Sequence, residues 1–122
     1  MIIVVAGAQG SLGQLVCEAL LARAQSQGKT VLVRGLVRKD KARTTATTPS
    51  GLPVAEADSG LKIEPVDYTS REDLVRVCTG AHCVASTLQG LDDVILGVQS
   101  RLLEAAIDNN VRRFIPSDFW VY

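Results

Sequence analysis

Three glycines follow a short apolar run near the start of the chain, in the stretch VVAGAQGSLGQLV of residues 4–16. Gly7, Gly10 and Gly13 stand at a three-residue spacing between a predicted strand and a predicted helix. In such a place the first glycine permits a tight turn, and the second lets the main chain approach a pyrophosphate. The third lets the helix pack closely on the sheet. The pattern predicts a phosphate-binding loop, with a purely structural turn as the alternative.

The main-chain amides of this loop are the groups that would hold a dinucleotide. They open a helix, whose N-terminus carries unpaired N–H groups and the positive end of the helix dipole. We expect the cofactor-binding residues of the loop to be Gly7, Gln9, Gly10, Ser11, Leu12 and Gly13.

A basic segment after the second apolar run bears on the choice of nucleotide. Enzymes that use NAD usually place an acidic residue here, where it binds the ribose hydroxyls. This chain has Arg38 and Lys39 instead, with Lys41 and Arg43 close behind. Guanidinium and ammonium groups suit a 2′-phosphate dianion, which Asp40 would oppose only if it pointed inward. The segment indicates NADP (NADPH), with a solvated basic face as the alternative.

Apolar, β-branched runs alternate with helical patterns and must position these groups. Strands are predicted at residues 2–6, 31–37, 61–66, 82–85 and 113–116. Gly35, inside the second run, indicates a bulge or a close approach of the first helix. The alternation predicts one α/β domain over residues 1–122, a Rossmann-type doubly wound parallel sheet in the order 3-2-1-4-5.

Apolar residues at helical spacing predict three helices between the strands. The first ends near Gly28 and carries the stripe Leu12, Leu15, Val16, Ala19 and Leu20. The second covers residues 71–78, where Ser70 stands three residues before Asp73 as a cap. The third begins at the acidic pair 92–93 and ends at Asn109 and Asn110, residues suited to a left-handed C-cap. Residues 44–60 are rich in threonine, proline and glycine, which predicts a surface loop.

The composition excludes several classes of function. Thirteen basic and thirteen acidic side chains balance, so no net field attracts nucleic acid or an anionic membrane, and aromatic residues make up only 4%. Cys17, Cys78 and Cys83 lack a C-x-x-C spacing, and His82 is the single histidine, so a metal site is not expected. We expect buried, reduced thiols in a cytoplasmic protein.

Three separated segments resemble the NmrA-like and isoflavone-reductase-like family, an atypical branch of the short-chain dehydrogenases/reductases. They are VLVRGLVR at 31–38, EPVDY at 64–68 and LLEAAIDNNVRRFIPSDFW at 102–120. The spacing G-x-x-G-x-x-G agrees with the same superfamily. The resemblance covers essentially the whole chain and implies NADP(H) as the cofactor.

The resemblance also implies positions for the rest of the cofactor. Asp67 and Tyr68 would lie beside the adenine, although Asp67 is equally suited to capping its local turn. Residues after the fourth strand would contact the ribose and phosphates through their backbone, with a plain loop as the alternative. These are Ser86, Thr87 and Leu88.

Catalytic residues are not expected within these 122 residues. Reductases of the resembled family place their proton-relay lysine and substrate pocket beyond the fifth strand, so we expect a fold truncated before the substrate-binding part and no turnover by the chain alone. Ser117 and Asp118 would cap the strand end and line the nicotinamide side, with a catalytic role as the alternative. Tyr122 is too close in sequence to serve as the catalytic tyrosine. The chain is then the cofactor half of an NADPH-dependent reductase of a small organic substrate. The alternative is a non-catalytic module that senses NAD(P). In either case, exposed apolar surface beside the last strand would suit a homo-oligomer.

Overall fold

The computed structural model describes residues 1–39, 60–88 and 92–116. The elements within these ranges are β1 (Ile2–Ala6), α1 (Ser11–Ser26), β2 (Leu32–Arg38), β3 (Gly60–Val66), α2 (Arg71–Cys78), β4 (Cys83–Ser86), α3 (Asp92–Asp108) and β5 (Arg113–Ile115). The predicted elements are confirmed, with bounds shifted by one or two residues. Of the loop predicted over residues 44–60, residues 44–59 lie outside the described residues, and Gly60 already belongs to β3.

The five strands form one parallel sheet in the order β3-β2-β1-β4-β5, which confirms the predicted order. The central strand β1 pairs with β2 on one side and β4 on the other. Ala6 at its end is in register with Leu36 and with Ser86. Because the winding reverses at β1, the carboxyl ends of β1 and β4 border the crevice where open α/β sheets bind ligands.

Alternating side chains of the strands fill two separate cores, one on each face of the sheet. Val5 and Val33 belong to the core under α1, which includes Cys17. Val4 and Leu36 belong to the core under α2 and α3. Both faces of the sheet therefore bury apolar side chains, as expected of a doubly wound sheet.

The buried face of α1 differs from the predicted apolar stripe. Gly13, Cys17 and Ala24 are its buried residues, whereas Leu15 is 62% exposed. The helix approaches the sheet so closely at Gly13 that small side chains occupy the contact, and larger ones pack at its flanks. The prediction was therefore wrong for Leu15 and for Ala19, which is also exposed.

The second strand is regular, so the bulge considered at Gly35 is absent from it. Gly35 is in register with Val5 and with Ile63. A Cβ at Gly35 would lie 2.7 Å from the Cβ of Ala8, which identifies the close neighbour as the loop after β1 and not α1 itself. The adjacent Arg34 donates to the carbonyl of Val77, near the C-terminus of α2, at 3.0 Å.

The helix ends follow their sequence signals. The Ser70 hydroxyl accepts the N–H of Asp73 at 3.2 Å, so the predicted cap of α2 is confirmed. Gly28 and Asn110 have φ of 66° and 55°, which is the left-handed conformation expected after α1 and α3. Within the described ranges, no helix is long and apolar enough to cross a membrane.

Candidate functional site

The loop between β1 and α1 needs two of its three glycines for its own conformation. Gly7 has φ of +78°, where a side chain is strained. A Cβ at Gly13 would overlap the carbonyl oxygen of Gly7 and stand 2.8 Å from its carbon. Gly10 has φ of −74° and ψ of 166°, and among the described residues a Cβ there would meet only the Gly7 oxygen, at 3.3 Å. The fold therefore requires glycine at positions 7 and 13, whereas a side chain at position 10 needs a shift of only a few tenths of an ångström.

The N-terminus of α1 has neither a side-chain cap nor an acidic residue in its first turn, and Gly10 is its N-cap residue. The loop itself is held by the N–H of Gly10, which donates to Gly7 O at 3.0 Å, and by the side-chain amide of Gln14, which donates to Gln9 O at 2.9 Å. The amides at Ser11 and the two following residues have no acceptor within the helix and lie at the positive end of its dipole.

Thr87, directly after β4, holds the other side of this loop. Its N–H donates to Ala6 O at 3.0 Å, and its hydroxyl lies 2.7 Å from Ala6 O and 3.2 Å from Gly7 O. Ser86 is buried, and Leu88 packs against the core. The structure places these three predicted residues at the crevice, with Thr87 fixing the turn at Gly7.

One member of the basic pair at the end of β2 forms an ion pair that the sequence does not indicate. Arg38 is exposed as the last residue of the strand. The Lys39 ammonium lies 2.9 Å from the carboxylate of Asp73, with the two side chains 57% and 17% exposed. That same carboxylate oxygen accepts the N–H of Asp67 at 2.9 Å. These contacts hold the pKa of Asp73 below its ordinary value, chiefly through the Asp67 N–H and then through Lys39.

Asp67 makes the local contact that its sequence position allows. One oxygen of its carboxylate accepts the hydroxyl of Thr69 at 2.6 Å and the N–H of Thr69 at 2.9 Å. These two bonds, the hydroxyl first, lower the pKa of the exposed Asp67 carboxyl. The structure thus shows Asp67 closing the turn between β3 and α2.

Tyr68 lies inward and not on an open surface. It is 8% exposed and belongs to the core that includes Ala6 and Leu36. Burial raises the pKa of Tyr68 to about 12, while the nearby Gly7 backbone and Arg38 lower it in part. Among the described residues, its enclosed hydroxyl has no hydrogen-bond partner, although the Gly7 backbone lies close enough to influence its pKa. An unpaired buried hydroxyl thus stands beside the glycine loop.

The other chemically capable residues lie away from this crevice or outside the described ranges. Nδ1 of His82 accepts the N–H of Ile2 at 3.1 Å, at the amino edge of the sheet, so this histidine serves the fold. The three cysteines are free, and the described residues contain no cluster suited to a metal ion. Ser117, Asp118 and Tyr122 lie outside the described residues.

Asp73 is the residue near the site that sequence reasoning missed. It was assigned to the capping of α2, which the structure confirms. Its ion pair with Lys39 joins residues that are 34 positions apart in the sequence (73 − 39). No local pattern signals such a pair.

Solved structures show the same fold as this chain. A Rossmann-fold NAD(P)-binding family protein from Shigella flexneri is 18% identical, with a TM-score of 0.61 over 93% of this chain and 49% of its own. Triphenylmethane reductase from Citrobacter sp., complexed with NADP(H), is 24% identical, with a TM-score of 0.63 over 93% of this chain and 36% of its own. An isoflavone reductase is 22% identical, with a TM-score of 0.62; the match covers 97% of this chain and 36% of the reductase. The chain thus spans less than half the length of each.

Sequence comparison gives the family. No curated protein matches the chain individually. The sequence pattern of the NmrA-like family, however, matches residues 1–121, nearly the whole chain. This agrees with the parallel sheet and the glycine loop on its central strand. The chain belongs to the NmrA-like family.

Proposed function

We propose that this chain binds NADP(H) as the cofactor domain of an oxidoreductase that acts on a small organic molecule. The observation that carries the proposal is Gly10. Its backbone conformation suits any residue, and a Cβ there would meet a single atom of the described ranges, the Gly7 oxygen at 3.3 Å. A glycine that the fold does not need is explained by a ligand that must approach the main chain.

The groups around Gly10 fit the pyrophosphate of a dinucleotide. The N-terminus of α1 has neither a side-chain cap nor an acidic first turn, and Thr87 fixes the turn from β4. The unpaired hydroxyl of Tyr68 beside Gly7 adds a polar atom without a partner among the described residues. When bound, the nicotinamide ring would supply hydride transfer, and the residues described here would bind and orient the adenosine and pyrophosphate.

The basic end of β2 supports NADP(H) over NAD(H). Arg38 and Lys39 stand where a carboxylate would otherwise bind the ribose hydroxyls. The triphenylmethane reductase of similar fold was solved with NADP(H). The small-molecule substrate is inferred from the same relatives, since triphenylmethane reductase and isoflavone reductase act on small organic compounds by their names.

Titration calorimetry with NADPH and NADH tests the proposal. The intact chain should bind NADPH more tightly than NADH. Arg38→Ala should weaken NADPH about ten-fold or more, because a charge-assisted hydrogen bond contributes about 1.5–3 kcal/mol, and should leave NADH nearly unchanged. Arg23→Ala, in the last turn of α1 at the opposite edge of the sheet, is the matched control and should change neither affinity.

Two results would count against the proposal. A folded chain that binds neither nucleotide would overturn dinucleotide binding itself. Equal losses for NADPH and NADH in Arg38→Ala would show that Arg38 supports the fold or the adenine and not the 2′-phosphate.

A further inference from the structure

The ion pair between Lys39 and Asp73 lies at the place proposed for the 2′-phosphate. The Lys39 ammonium is 2.9 Å from the Asp73 carboxylate, which is the less exposed partner at 17%. Asp73 is fixed on both sides, because its N–H donates to the Ser70 hydroxyl and its carboxylate accepts the Asp67 N–H. The flexible lysine is therefore drawn to a carboxylate that the start of α2 holds in place.

The charge at this corner of the sheet is more balanced than two adjacent basic residues suggest. Asp73 pairs with Lys39, and Arg76 lies 3.6 Å from the other oxygen of Asp73. The exposed carboxylate of Asp67 stands near both Lys39 and Asp73, since each influences its pKa. A dianion bound at this position would contact a Lys39 ammonium whose charge is already partly neutralised by the Asp73 carboxylate, 2.9 Å away.

We propose that Asp73 is a specificity-determining residue, which limits the preference for NADPH by holding Lys39 in an ion pair. The inference rests on the proposed function, because it concerns the 2′-phosphate of the same ligand. A 2′-phosphate must share Lys39 with Asp73 and sit close to a like charge. NADH has no group at this position, so its affinity is independent of the pair.

Asp73→Asn tests this with little change of shape. The asparagine oxygen still accepts the Asp67 N–H, and the backbone N–H still donates to Ser70. NADPH should bind about two- to five-fold more tightly at low salt, since a surface ion pair has an effect of that order and its loss frees Lys39 for the 2′-phosphate. NADH should bind as before, and the gain for NADPH should shrink as salt is added.

Folding stability should change in the opposite direction. Asp73 lies in the first turn of α2, where a negative charge favours the helix, so its loss lowers the unfolding midpoint slightly. A merely structural role would weaken NADPH binding together with stability. A tighter complex in a less stable protein is what the proposal requires.

Glu72→Gln is the matched control, because Glu72 is an acid in the same first turn. It removes the same charge without touching the ion pair. In a double-mutant cycle with Lys39→Ala, the effect of Asp73→Asn on NADPH should be clearly smaller than in the unmodified chain, because only the direct repulsion by Asp73 remains. The inference is overturned if Glu72→Gln strengthens NADPH equally, if the gain is undiminished without Lys39, or if Asp73→Asn weakens NADPH. If the unmodified chain binds neither nucleotide, the proposed function fails first.

Discussion

Replacing Gly10 by valine should abolish dinucleotide binding and leave the domain folded. The backbone at position 10 is extended, with φ of −74° and ψ of 166°, which a β-branched residue adopts readily. The new Cβ would meet the Gly7 carbonyl oxygen at 3.3 Å, which requires a shift of a few tenths of an ångström. Its side chain would occupy the space over the helix N-terminus that we assign to the pyrophosphate.

The two expected effects differ in size. An apolar residue at the N-cap costs about 0.5–1 kcal/mol, and the lower entropy of the unfolded chain offsets about 0.4–1 kcal/mol of this. Binding loses charge-assisted hydrogen bonds from the loop amides at about 1.5–3 kcal/mol each. The loss of two such bonds weakens the complex about 100-fold or more.

Gly13→Ala is the matched comparison, because it should lower the stability of the fold, whereas Gly10→Val should lower the affinity for NADPH. Its methyl group would overlap the Gly7 carbonyl oxygen and stand 2.9 Å from the Cα of Ala8, so main chain must move. Overpacking of this kind costs about 1–3 kcal/mol or more. Gly13→Ala should therefore unfold at clearly lower urea than the unmodified chain, whereas Gly10→Val should not.

Urea unfolding followed by circular dichroism measures stability, and NADPH titration by calorimetry measures affinity. A folded Gly10→Val chain that binds NADPH with unchanged affinity would refute the assignment of this space to the ligand. A Gly13→Ala chain as stable as the unmodified one would refute the packing argument.

Three further predictions concern side chains around the crevice and in the two cores. Tyr68→Phe removes a buried hydroxyl without a partner among the described residues, so urea unfolding should show equal or higher stability, and a clear loss would reveal a hydrogen bond. Thr87→Val removes the hydroxyl bond to Ala6 O and should lower the free energy of unfolding by about 1 kcal/mol, whereas an unchanged midpoint would show that the bond contributes nothing. Burial raises the pKa of Cys17 and Cys78 from 9.0 to about 11, so the unfolded chain loses these protons first. Stability should hold below about pH 9 and fall as the pH rises through 11, by on the order of 2 kcal/mol per thiol, and a chain with both cysteines changed to alanine should decline less.

The sequence by itself determined the elements and their order in the sheet. Strand and helix patterns are local, and parallel strands joined by right-handed crossovers leave few arrangements. Among these, a glycine-rich turn after the first strand favours the order 3-2-1-4-5 that the structure shows. The cap at Ser70 and the left-handed Asn110 were equally predictable, because both depend on neighbours within one turn. The glycine loop was also predictable from the sequence, because its three glycines lie within seven consecutive residues between a strand and a helix.

Only the tertiary structure decided which side chains meet. The buried face of α1 depends on how closely Gly13 brings it to the sheet, and the hydrophobicity of Leu15 carries no information about that distance. The partner of Lys39 is Asp73, which lies on an element that the fold brings to the end of β2. Such contacts join residues remote in sequence, and their geometry is set by the ends of neighbouring strands, which no local pattern encodes.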